Sequence, residues 1–317
     1  MDLTQLRRTL QSFTTLMLDV YDREGGTEDS ELARFAYTHD NRQARANPVR
    51  LDHLFSFPEV YDWSGAGQVE FTEIDRWEWS VPMQGWSVFV RYNLIDAGRP
   101  STLVDLQKVV SSLPPAFTRK RFQLAMSVLR GNPISVDGQP FFSDAHSHPA
   151  GMGSYDNTQD FEVAALDDET VRDIVEAIYD RFRRNMRIQS EVYRADQVEN
   201  LLIFVPESLI VPFRRVAGRD LLVTKSGATL SNDVKGRFEL LVDSKLADGQ
   251  IRAVWTDPAG PKPVLHVPDR DPWLDVDESI KLPGQHVAIA MMAIFAAKPL
   301  FPQAAQAGTI TVNPPEV

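Results

Sequence analysis

The stretch Val136-Asp137-Gly138-Gln139-Pro140-Phe141-Phe142-Ser143-Asp144-Ala145-His146-Ser147-His148-Pro149 admits two readings, and they lead to different kinds of protein. Read as chemistry, Asp144, His146 and His148 are three potential metal ligands at alternate positions, which share a face if the segment is a strand. A metal-dependent hydrolase would use them so. Read as architecture, Asp137-Gly138 is a turn signal, Phe141-Phe142 plugs a core and the polar remainder leads into a loop. A two-residue ligand step flanked by glycine and proline is the pattern of a solvated turn. The rest of the chain decides for architecture.

The chain has 317 residues, 43% of them hydrophobic and 24% charged, an ordinary globular balance with room for two domains. Its formal net charge of -11 argues against gripping nucleic acid, which needs a basic face to displace counterions. With no cysteine, thiolate catalysis, disulfides and Cys-ligated zinc are excluded. The N-terminus, Met1-Asp2-Leu3-Thr4-Gln5-Leu6-Arg7-Arg8, lacks the basic-then-apolar pattern of a secretory signal. The longest apolar run, Val287 to Ala297, is short of the roughly 20 residues a membrane helix needs. The expectation is a chain made in the cytosol with no membrane partner.

Other chemistry finds no support in spacing. There is no G-x-S-x-G elbow, and Gly65-Ala66-Gly67 lacks the later glycine and the strand–helix setting of a phosphate loop. His39, His53 and His286 have no evident ligand partners, and His266, in an apolar strand, reads as a core histidine with its ring nitrogens satisfied. Arg181, Arg183, Arg184 and Arg187 read as a solvated helix end, with intersubunit ion pairs as the alternative. No catalytic, cofactor or metal residue is assigned.

The periodicities outline an α+β chain. Residues 3–20 carry helical spacing and 22–50 read as an extended arm. Over 68–95, Val69, Phe71, Trp77, Trp79 and Val81 fall on odd positions and Trp86, Val88, Val90 and Tyr92 on even ones, with Pro82 to Gly85 between. That predicts a long β-hairpin with an aromatic face. It is either a core sheet or an arm laid over a neighbouring subunit, since aromatic-rich exposed patches mark interfaces. A capping box at Thr102–Asp105 opens a long helix, bent or broken at Pro114-Pro115 and ended by Gly131-Asn132-Pro133. The strongest helix, 168–187, has the stripe Val171, Ile174, Val175, Ile178, Tyr179, Phe182 and Met186, with acids first and arginines last. A buried strand, Leu201 to Val205, a helix opened by Pro206, and the strand Arg237 to Val242 predict an α/β subdomain over about 160–245. Strands follow at 251–256, 264–267 and 287–295. The α/β part thus reads as inserted into an elongated α+β domain.

Several motifs resemble one family, the major head subunit of Mu-like phages. Asp137-Gly138-Gln139-Pro140-Phe141-Phe142, then Asp144 and His148-Pro149, is similar to its Asp-Gly-Gln-x-Phe-Phe turn and His-Pro exit. Phe57-Pro58 to Trp63 resembles its segment before the hairpin, and Leu201 to Pro206 its buried strand ending in Val-Pro. Ser231 to Gly236, leading into Phe238 to Val242, resembles its Asn-x-x-Lys-Gly turn and strand. Lys262-Pro263-Val264-Leu265 with Asp269-Arg270, and His286-Val287, resemble its last strands. The likeness covers about 53–296; His146 is not part of it, and Pro114-Pro115 and Pro212 depart from it.

The resemblance implies the Hong Kong phage capsid fold. Residues 1–50 would be the N-terminal arm, and 51–154 with 246–300 the peripheral domain. Within it, 65–95 would be the extended E-loop and 101–130 the spine helix; 155–245 would be the axial domain and 301–317 a C-terminal tail. It implies a major capsid protein of a virion, assembled in the host cytoplasm into hexamers and pentamers of an icosahedral shell around double-stranded DNA. The DNA would be held without specific binding. Partners would be copies of itself, a scaffolding protein, a portal and a decoration protein. Trp77, Trp79, Trp86 and Phe89 are the expected intersubunit contacts. An encapsulin-like compartment shell keeps the fold with another role, and the hydrolase on Asp144, His146 and His148 is the reading of a different class.

Overall fold

The computed structural model of the chain describes residues 8, 10–11, 18, 30–46, 48–54, 76–93, 108, 110–147, 154–187, 200–224, 226–257, 261–277 and 286–313. In chain order these form β1 (Ala36–Thr38), β2 (Val49–Leu54), β3 (Arg76–Val81), β4 (Gly85–Asn93), α1 (Pro114–Gly131), β5 (His146–Ser147), β6 (Ser154–Tyr155), β7 (Thr158–Val163), α2 (Asp168–Arg187), β8 (Leu201–Val205), α3 (Ile210–Gly218), β9 (Leu221–Val223), β10 (Thr229–Ser231), β11 (Phe238–Val242), β12 (Gln250–Trp255), β13 (Val264–Asp277), β14 (His286–Pro299) and β15 (Ala305–Val312). Among the described residues, no helix is long and apolar enough to cross a membrane.

The chain divides into two units. The first comprises Met1–Arg50, Ser80–Ser127 and Leu265–Lys298, and the second Leu51–Trp79, Val128–Val264 and Pro299–Val317.

The first unit is built on a sheet of order β1-β13-β14-β4. β4 runs antiparallel to β14, from Asn93 opposite His286 to Gly85 opposite Ile294. Alternation decides the core: Ile289, Met291, Ala293 and Phe295 of β14 face inward with Val110, Leu113 and Phe117, and Trp86, Val88 and Val90 of β4 pack against them. β13 keeps its pairing through two prolines. The carbonyls of His266 and Pro268 accept from the N–H groups of His39 and Asn41, both at 2.9 Å, so even positions of β13 address the β1 side. Pro268 and Pro272 therefore lack an N–H only on the side where pairing is short. Arg42 bridges Asp40 at 2.7 Å and Asp271 at 3.2 Å beside this junction. Its hydrogen bonds hold the Asp40 carboxylate down at about 2.

The second unit carries a sheet of order β11-β8-β12-β15-β7. β8 and β11 are parallel and joined through α3, a βαβ crossover, and the β9–β10 hairpin interrupts the return. β12 is antiparallel to β8 and to β15, and β15 is parallel to β7. All five residues of β8 are buried, as its uninterrupted apolar run requires. α2 lies on this sheet with Val171, Ile174, Val175, Ile178, Tyr179 and Phe182 buried. Asp167 caps it by accepting the Thr170 N–H at 2.8 Å.

Three expectations need correction. β3 and β4 do not pair with each other: β3 pairs with β2, and β4 with β14. The antiparallel-looking reversal at Pro82–Gln84 is a passage between two sheets, and the span 55–75 between β2 and β3 lies outside the described residues. Second, the return to the first unit falls at Leu265 rather than 246, because β12 hydrogen-bonds β8. The second unit also takes in residues from Val128 onward, well before 155. Third, residues 301–313 are not a tail; β15 is an interior strand, between β12 and β7. The proline pair behaves as its chemistry demands. Leu113 breaks the helical run, and Pro114 and Pro115 start α1, where a missing N–H costs nothing.

Candidate functional site

The opening stretch folds into a closed knot within the second unit. Ser135 N–H donates to the Gln139 carbonyl at 2.7 Å and Gly138 N–H to the Ser135 carbonyl at 3.1 Å. Gly138 sits at φ 78, where a side chain would be strained. The turn delivers Phe141 and Phe142 into the core, edge to face at 4.8 Å. Asn132, just past the end of α1, holds the second ring's backbone by donating to the Phe142 carbonyl at 3.1 Å and accepting its N–H at 2.5 Å.

His146 closes the knot. Its ring is fully buried, with Nδ1 2.6 Å from Asp137 Oδ2 and Nε2 3.2 Å from the Phe141 carbonyl. A carbonyl only accepts, so Nε2 carries a hydrogen, and the Asp137–Nδ1 contact holds one more between its partners. The imidazole stacks on Tyr155 at 4.9 Å, and the Tyr155 hydroxyl donates to Gln303. Burial, then the Asp137 charge, push the Tyr155 phenol above its ordinary range. Asn157 ties three segments together. Its side-chain amide donates to the Phe141 carbonyl at 2.8 Å and the Pro302 carbonyl at 2.9 Å, and accepts the Ser143 N–H at 2.8 Å.

The metal reading fails on this geometry. Both His146 nitrogens are engaged, Asp144 is exposed, and His148 lies outside the described residues. No three potential ligands converge among the described residues. Asp137, nine positions before His146 and outside the alternating pattern, captures the ring that the spacing had offered to a metal. The hydrolase reading loses its central ligand.

A second buried polar cluster anchors the end of α1 to the five-stranded sheet. Arg252 of β12 lies 4.9 Å over the Phe142 ring and donates to the Leu129 carbonyl at 3.0 Å, capping the helix. Burial lowers its pKa despite the nearby Asp243 charge. Arg130 makes a paired contact with Asp243, 2.6 and 2.7 Å, and Asp243 is 4% exposed. Tyr155, Asn157, Asp243 and Arg252 were not singled out from sequence. Asp243 and Arg252 make their contacts more than a hundred residues along the chain, whereas His146 meets Asp137 and Tyr155 each nine positions away, near enough to have been considered. Arg181 also finds its partner in its own chain, Asp156 at 2.6 Å.

The expected contact residues separate. Trp86 faces the core of the first unit, stacked on Phe295 at 6.0 Å, with Lys120 Nζ 4.0 Å from its ring centroid. Phe89 points the other way and is 47% exposed. It stands opposite Ala290, next to the pairs Ser87–Met292 and Gly85–Ile294, whose apolar members are half-buried. On that far face Phe89 is exposed and Met292 and Ile294 are half-buried, while Ala290 is fully buried. Trp77 and Trp79 fall on β3, and their side chains lie outside the described residues. Neither the knot nor the Phe89 face is a reaction centre. One is filled with packed side chains, with the buried Ser135 hydroxyl left without a partner, and the other exposes Phe89 on the face of a strand.

No protein-family model and no curated sequence matches the chain. Solved structures do. A chain of the bacteriophage PhiM1 mature capsid aligns over 88% of this chain and 86% of its own, with a TM-score of 0.53 and 9% identity. A chain of Mycobacterium phage Patience aligns over 97% and 89%, with a TM-score of 0.54 and 10% identity. The capsid of an empty GTA particle aligns over 89% of each, with a TM-score of 0.56 and 11% identity. At such identities the likeness is one of fold. The chain has the Hong Kong phage capsid fold, an α+β architecture, as its motifs implied.

Proposed function

We propose that the chain is a major capsid subunit, which assembles with copies of itself into the hexamers and pentamers of an icosahedral head around double-stranded DNA. The carrying observation is fold likeness along nearly the whole chain, in both directions, to chains of a mature phage capsid and an empty GTA capsid. The motif resemblance to Mu-like head subunits points to that branch of the fold. The net charge of -11 suits an interior that lies near DNA without binding it tightly.

In this reading the first unit is the peripheral domain, with α1 as its spine, and the second unit contains the axial domain. The β2–β3 pair is the base of the extended loop. Phe89, with Trp77 and Trp79, makes lateral contacts, and Trp86 supports β4 from the core side. Each contact is modest, and repetition around a closed shell makes the stability collective. A scaffolding protein, a portal and a decoration protein complete the head, which is assembled in the host cytoplasm and becomes the virion shell. The role is structural and requires no cofactor.

The test is negative-stain microscopy of the full chain expressed alone and with its scaffolding protein. Closed, uniform shells when the two are co-expressed support the reading. A stable monomer under both conditions overturns it, and shells that load an enzyme in place of DNA transfer it to a cargo compartment.

A further inference from the structure

His266 of β13 is a core residue, 2% exposed, but contrary to the expectation of a satisfied core histidine neither of its ring nitrogens has a hydrogen-bond partner. It sits at a junction of the first unit. Its ring lies 6.3 Å from that of Phe295 on β14, and its carbonyl accepts the His39 N–H, which carries the strand after β1 along β13. From α1, the buried Arg121 bears on it with a positive charge. On its own strand the nearest carboxylate, Asp269, is taken by the side chain of Asn41. An apolar side chain would fill this place without leaving two polar atoms unmet. Once protonated, the ring would be a buried cation with no acceptor, facing a like charge.

We propose that His266 is an acid-operated release for the first unit: its ring gains a proton only when α1 and the β1 strand separate from β13, so acidification opens that junction. Burial, then Arg121, push the closed-state imidazole from 6.5 down to about 3. Above 6.5 neither state is protonated and the closed form keeps its full advantage. As pH falls from there towards 3, the open form alone takes the proton, and the closed form loses about tenfold per pH unit. The inference rests on the first unit alone and is independent of the shell reading.

Hydrogen–deuterium exchange on the full unassembled chain tests it, at about pH 7 and about pH 4.5, with intrinsic exchange corrected. Opening of residues 36–41 and 114–127 should increase about a hundredfold in the wild type on acidification, and only a few-fold in His266→Leu. A His266→Leu profile that parallels the wild type overturns the proposal. Should the leucine variant not fold, the His266 ring resonance of the wild type decides. Silence down to about pH 4 supports the release, and titration in the folded chain at the ordinary histidine value overturns it.

Discussion

Trp86 lies against Phe295, with ring centroids 6.0 Å apart and planes 26° from parallel, and its indole N–H donates to the carbonyl of that same residue at 3.1 Å. One side chain thus fastens β4 to β14 through both its face and its edge. Trp86→Ala should therefore destabilise the unassembled subunit by about 3 kcal/mol, since it empties a half-filled core site. Trp86→Phe keeps the stack, loses the hydrogen bond and should cost about 1 kcal/mol. Urea unfolding of the dissociated chain reads both; an unchanged midpoint in Trp86→Ala would mean that the indole works only between subunits.

Phe89 has the opposite signature. It is exposed on the far face of the same strand, so Phe89→Ser should leave stability within about 0.5 kcal/mol. Shell yield should fall sharply, as counted by microscopy of co-expressed material. Wild-type yield would remove Phe89 from the lateral contacts.

The Asp137–His146 pair is buried on both sides, at 1% and 0% side-chain exposure. His146→Ala strands a carboxylate in the core and should cost about 3–5 kcal/mol. Combining it with Asp137→Ala should cost far less than the two single losses added. Additive losses in that double-mutant cycle would show the residues to be uncoupled.

Two glycines with the same backbone make a controlled pair. Gly227 at φ 80 has open space where a Cβ would go, whereas at Gly249, φ 79, a Cβ would meet the Ile310 carbonyl oxygen at 2.5 Å. Gly227→Ala should cost about 1 kcal/mol for the left-handed conformation alone. Gly249→Ala should cost at least about twice that, because the clash falls on backbone that β15 needs for pairing. Thermal melts of the two variants side by side give the comparison, and equal shifts would contradict it.

Much of this was legible in advance where it depended on neighbours in the chain. The stripe of α2, the acids at its start, the apolar run of β8 and the turn before Phe141-Phe142 are all short-range patterns, and the structure keeps them. What misled was a change of parity. The switch from odd to even aromatics around Pro82–Gln84 looks the same whether the chain folds back on itself or passes from one sheet to another. In the same way, the stretch that becomes β15 reads as a tail, because nothing in its short-range pattern signals that it fills a place inside the sheet.

The amino-acid order by itself determined which segments alternate with period two or 3.6, the turn that precedes Phe141-Phe142, and that no thiol chemistry is available. Tertiary structure alone decided that β4 joins β14, that β12 and β15 belong to the second sheet, and that Asp137 rather than a metal holds His146. The reason is physical. A strand offers the same backbone groups along both edges whatever its sequence, so its partner is selected by which faces bury together, and that choice exists only once distant segments have met.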